Sequence, residues 1–147
     1  MNIEQAAQEL NQLQIDHAKA LTRTATSPAA GGEIGVLLWL KEQQNEVFAI
    51  DIIEHFGLTP GRVANILKRL QEKKFIERRH NTEDLRKTFI RLTESGMQFA
   101  EEQFTHLTNR HTQLFSALGE EDTRHTLRIL RKIIAWSESG TDFASIK

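Results

Sequence analysis

Cysteine is absent from the 147 residues. Without thiols the chain can hold no disulfide framework, no thiolate-ligated zinc or iron–sulfur centre and no cysteine nucleophile. Long apolar runs are missing too. The longest, Val36-Leu37-Leu38-Trp39-Leu40, falls far short of the ~20 residues that cross a bilayer, so no membrane partner is expected. The opening residues Met1-Asn2-Ile3-Glu4-Gln5 show no basic stretch followed by an apolar one. A secretory signal is therefore not expected, and the cytoplasm is the expected compartment. No Walker loop, G-x-G-x-x-G, G-x-S-x-G or His-Glu-x-x-His occurs, which argues against the enzyme chemistries those motifs serve. No catalytic residue and no cofactor are expected. Charge of one sign is also lacking: 19 Lys and Arg face 20 Asp and Glu, a formal net charge of −1. By itself that gives no sign of a nucleic-acid partner.

What is present is helical periodicity. The length suits a single domain unit over 1–147. Residues 2–23 carry Ile3, Ala6 and Ala7, Leu10, Leu13, His17, and Ala20 and Leu21 at three- and four-residue spacing, the pattern of an amphipathic helix. Thr26-Ser27-Pro28-Ala29-Ala30-Gly31-Gly32 ends it in a loop. Residues 33–43 read as an apolar helix, Val47-Phe48 as a very short strand, and 49–56 as a short helix with Gly57 at its C-cap. Thr59-Pro60 opens the next helix: Thr can cap free N–H groups, and Pro loses nothing at the first helical position. That helix runs to Lys73, with Val63, Ile66, Leu67 and Leu70 as its buried stripe. Phe75 to His80 and Lys87 to Leu92 read as two strands joined by the turn residues Asn81-Thr82-Glu83-Asp84. From Thr93, the residues Met97, Ala100, Phe104, Leu107, His111, Leu114 and Leu118 alternate three- and four-residue steps, a heptad seam. Gly119 is expected to end that helix, and a last one follows through Trp136 with two adjacent apolar stripes.

The middle of the chain carries the function. Two helices joined by Gly57-Leu58-Thr59 form a helix-turn-helix, and a basic hairpin follows directly. Such a second helix fits the major groove of double-stranded DNA. Its polar face offers Arg62, Asn65, Lys68 and Arg69 as donors. Gly61 keeps the leading end slim, and the N–H groups around Thr59 and Gly61 are candidates for a phosphate. Arg78 and Lys87 on the hairpin are further phosphate candidates. The charge is also segregated. Residues 57–92 hold ten Lys or Arg against four acids, an excess of six, and the remainder an acidic excess of seven. A basic unit in an acidic frame is the footprint of a DNA reader.

Several motifs resemble the MarR family of transcriptional regulators: Leu70-Gln71-Glu72-Lys73-Lys74-Phe75-Ile76-Glu77-Arg78 leading into the hairpin, Asp84-Leu85-Arg86-Lys87 in it, and Arg91-Leu92-Thr93-Glu94-Ser95-Gly96 leaving it. The resemblance covers about residues 33–136. It implies a homodimer whose paired helices enter successive major grooves of a palindromic operator. It implies that Arg86 enters the minor groove and that Asp84 orients it. The sequence departs from the family at Lys74, commonly Gly, which calls for a strained backbone or a different helix exit there.

The expected fold is thus mainly α with a small β wing. A winged helix-turn-helix over 33–92 is flanked by helical dimerisation segments over 1–25 and 93–137. The expected function is a ligand-responsive repressor. Its partners are double-stranded DNA, a second copy of itself and a small-molecule effector. The alternative is a winged-helix protein–protein module that binds no DNA, against which the basic face speaks. Metal is not expected: His17, His106, His111 and His125 lie on or near the apolar stripes, but the five-residue step from His106 to His111 does not stack them on one face.

Overall fold

A computed structural model describes residues 2–16, 32–80 and 88–139. The elements in order are α1 (Ile3–Asp16), α2 (Glu33–Glu42), α3 (Ala49–Phe56), α4 (Pro60–Glu72), β1 (Ile76–His80), β2 (Thr88–Leu92) and α5 (Glu94–Glu138). The chain divides into two units, Met1–Leu107 and Thr108–Lys147.

In the first unit, α1 starts with a reciprocal cap. The Asn2 Oδ1 accepts from the Gln5 amide at 2.7 Å, and the Gln5 Oε1 accepts from the Asn2 amide at 3.3 Å. Its apolar side is uncovered: Ile3 is 89% exposed, and Leu10 and Leu13 are exposed too. The expected continuation over 17–23 lies outside the described residues.

The core of this unit belongs to the winged region. Val36, Leu37 and Leu40 of α2, Ile52 of α3, and Val63, Ile66, Leu67 and Leu70 of α4 are buried together with Val47, Ile76, Ile90 and Ala100. α3 ends at Gly57, whose φ of 61° and ψ of 33° are left-handed, a conformation that favours glycine. α4 starts as its sequence dictates, with the Thr59 Oγ1 accepting from the Arg62 amide at 3.3 Å and Pro60 at the first helical position.

The end of α4 is a Schellman cap. The Phe75 amide donates to the Leu70 carbonyl at 2.9 Å and the Lys74 amide to the Gln71 carbonyl at 3.0 Å. That geometry places Lys74 at φ 61°. The departure at Lys74 is therefore met by strain, not by a different exit. A left-handed L-residue costs about 1–2 kcal/mol, against about 0.5–1 kcal/mol for the extra entropy of glycine. Lys74→Gly is expected to stabilise the fold by about 0.5–1 kcal/mol, read as a rise in urea midpoint at unchanged m.

β1 and β2 pair antiparallel from Ile76↔Leu92 to His80↔Thr88. The expected short strand at Val47 is a single bridge to Ile90, whose amide donates to the Val47 carbonyl at 2.7 Å. β1 begins at Ile76, one residue later than expected, because Phe75 is committed to the cap of α4. The wing then locks onto α5. The Thr93 amide donates to the Phe75 carbonyl at 3.0 Å, and the hydroxyls of Thr93 and Ser95 donate to the Lys74 carbonyl at 2.6 and 3.0 Å. The Gly96 amide donates to the Thr93 Oγ1 at 3.0 Å, capping α5. Phe75 and Phe99 stack with centroids 4.5 Å apart.

Gly119 ends a helix as expected: its φ of 79° and ψ of 171° are non-helical, so the span Glu94–Glu138 is two helices meeting at a kink. In the second unit the Thr123 hydroxyl closes this kink by donating to the carbonyls of Gly119 at 2.7 Å and Phe115 at 3.2 Å. Leu118, Leu127, Ile129, Ile133, Ile134 and Trp136 remain exposed there. No helix among the described residues is long and apolar enough to cross a membrane.

Candidate nucleic-acid interface

α4 sorts its residues cleanly. Val63, Ile66, Leu67 and Leu70 are buried, while Gly61, Arg62, Asn65, Lys68 and Arg69 are exposed. At 100° per residue the two sets fall on opposite sides of the helix. The helix-turn-helix core thus holds α4 by one side and presents the other.

The exposed cations are not equivalent. The side chains of Arg62 and Asn65 have no polar partner among the described residues. Lys68 lies 4.0 Å from Glu72, one turn on, with both side chains largely in solvent. Such a pair holds its partner weakly. Arg69 lies 3.6 Å from Glu33, at the start of α2, and Lys73 pairs with the same carboxylate. The charge-rich half of α4 is therefore its far end, and the unengaged donors lie toward its start.

The first turn offers less to a phosphate than its sequence suggests. Pro60 has no N–H, the Arg62 amide is taken by Thr59, and the Val63 amide bonds the Thr59 carbonyl at 3.1 Å. Among the described residues only the Gly61 amide stays unengaged in that turn. A Cβ at Gly61 would meet nothing within 4 Å. Among the described residues nothing requires glycine there, and the space beside it is open.

On the hairpin, Arg78 is exposed and lies opposite Ile90, while Arg79 pairs with Glu77 at 2.8 Å. Asp84, Arg86 and Lys87 lie outside the described residues, as does His17. His106 and His125 are exposed. His111 is half-buried near Phe115, and its Nε2 has no hydrogen-bond partner among the described residues. No group of three His, Cys, Asp or Glu among the described residues could hold a metal ion.

Two features escape sequence reasoning. One is Glu33, whose partners lie far away in the chain and carry no local signature. The other is a 330 Å³ cleft lined by Glu33, Ile34, Leu37, Lys73, Phe75 and Phe99, assembled from α2, the start of α5 and the cap between α4 and β1.

Residues 32–88 match the family model described as MarR family. Two curated relatives from Bacillus subtilis (strain 168) are each named an uncharacterized HTH-type transcriptional regulator. YwaE is 28% identical over 82 residues, 56% of this chain and 48% of its own length. YwhA is 31% identical over 83 residues, 56% of this chain and 60% of its own length. The chain thus spans about half to three-fifths of the length of these relatives. The fold is shared with the MepR–DNA complex of S. aureus, at 22% identity and a TM-score of 0.61, over 92% of this chain and 98% of that one. The likeness to the MarR family thus lies over residues 32–88, the winged helix-turn-helix.

Proposed function

We propose that this chain is a sequence-specific double-stranded-DNA-binding transcriptional regulator, acting as a homodimer on a palindromic operator and releasing it on binding a small-molecule effector, as a repressor does. The observation that carries this reading is the presented face of α4, where Arg62 and Asn65 stand exposed, without polar partners among the described residues. The basic excess of residues 57–92 supports it. So does the likeness of fold to MepR, which is named in a complex with DNA.

In this reading residues 33–92 are the DNA-binding region, with Thr59, Gly61, Arg62, Asn65, Lys68, Arg69 and Arg78 facing the duplex. Asp84, Arg86 and Lys87 serve it from the wing, Arg86 in the minor groove, where narrow A·T-rich stretches concentrate negative potential. Segments 1–25 and 93–137 pair two copies. The uncovered apolar residues of α1, and of α5 beyond Gly119, are the surfaces available for that. The cleft beside Phe75 and Phe99 touches both the end of α4 and the start of α5. A ligand there can act only by favouring one arrangement of these elements over another.

The test is salt-dependent binding to fragments flanking the chain's own gene. Phosphate contacts make log affinity fall linearly with log salt. Arg62→Ala is expected to weaken binding to the best fragment by about 1–3 kcal/mol at matched salt, with thermal stability unchanged. A chain that binds no duplex, or whose binding ignores salt, is instead the protein–protein module.

A further inference from the structure

Glu33 opens α2, and its carboxylate reaches across to the far end of α4. It lies 3.6 Å from Arg69 and pairs also with Lys73. Its side chain is only 22% exposed, whereas those of Arg69 and Lys73 are 71% and 53% exposed. The acid is held by the fold, and the cations come to it. Glu72, by contrast, is 63% exposed and pairs with Lys68 at 4.0 Å within one helix, a contact that water and salt readily loosen.

Sequence-independent affinity for DNA comes from cations that displace the counterions condensed on phosphate. A cation already neutralised by a fixed carboxylate displaces fewer. We propose that Glu33 is a positioning residue for DNA contact: it holds Arg69 and Lys73 back from phosphate, lowers binding to arbitrary sequence and leaves recognition to the Arg62–Asn65 end of α4. This rests on the DNA-binding reading of α4. The logic is that of discrimination by weakening the wrong complex: a cation that serves every sequence equally adds affinity and no selectivity.

The experiment titrates the full chain against a labelled random-sequence duplex over a series of salt concentrations. Glu33→Gln keeps the shape and removes the charge. It is expected to raise affinity roughly 3–10-fold and to steepen the log–log salt slope by about one. Glu42→Gln is the matched control. Glu42 lies at the other end of α2, exposed and without an ion pair among the described residues. It makes the same change in net charge and is expected to leave the slope as it is.

A second measurement does not depend on Glu33→Gln folding. Lys73→Gln alone is expected to leave the slope nearly unchanged, since Lys73 is already withheld, whereas Arg62→Ala flattens it. A merely structural role for Glu33 would move the melting temperature and leave the slope alone. The proposal is overturned by an unchanged slope in Glu33→Gln, by an equal gain in Glu42→Gln, or by a slope loss in Lys73→Gln as large as that in Arg62→Ala. If the unmodified chain shows no salt-dependent binding to any duplex, the DNA-binding reading fails instead, and the two failures are told apart.

Discussion

Gly96→Ala is expected to destabilise the protein by about 3 kcal/mol or more, the reverse of what helix propensity dictates. Gly96 lies in the first turn of α5. In a helix, alanine is normally favoured over glycine by about 1 kcal/mol. Here an added Cβ would stand 1.9 Å from the Phe75 carbonyl oxygen and 2.7 Å from its carbon. Both are backbone atoms, so no side chain can rotate aside. The Phe75 carbonyl is already fixed, since it accepts from the Thr93 amide at 3.0 Å, and the Phe75 ring is stacked on Phe99. Relief requires α5 to part from the cap of α4, which breaks the Thr93 and Ser95 bonds to the Lys74 carbonyl as well. Urea denaturation of the variant beside the parent measures the loss. A change below about 1 kcal/mol would show that the junction can slide. Gly61→Ala is the internal comparison: open space surrounds that position, so its stability should hold or rise slightly.

The contrast between these two glycines shows what a sequence discloses. Local chemistry was legible. Gly57, Thr59 and Pro60 announce a C-cap, an N-cap and a first helical residue, and each takes up that role. The α4 stripe was legible because four apolar positions at helical spacing define a buried side. Charge segregation was legible by splitting a near-zero total into its basic and acidic parts. Long-range pairings were not. Glu33 is an ordinary first-turn acid until the fold brings it to Arg69 and Lys73, and Gly96 is an ordinary small residue until Phe75 arrives beside it. The first turn of α4 offers a phosphate fewer free amides than its residue types suggest, for a similar reason. The cap that makes Thr59 recognisable also consumes the Arg62 amide.

Leu70→Ala is expected to cost about 2–5 kcal/mol of stability, while the DNA affinity of the folded protein stays within about a factor of two. Leu70 is fully buried in the core between α2, α3, α4 and the wing, and its carbonyl anchors the cap at Phe75. Truncation removes three carbons from a packed site and leaves a cavity that rigid neighbours close only in part. Against a total stability of about 5–15 kcal/mol for a domain, that is a large fraction. Protein concentration must be matched throughout, because association of two copies would add to the apparent stability. Arg62→Ala should show the mirror image, with affinity lost and the melting curve unmoved, because Arg62 is exposed and contributes nothing to the core. The pair therefore separates the two sides of one helix. If Leu70→Ala abolished binding at temperatures where the protein stays folded, the placement of α4 would depend on that single contact. If Arg62→Ala lowered stability instead of affinity, the presented face of α4 would be structural and the assignment of the DNA interface would fall with it.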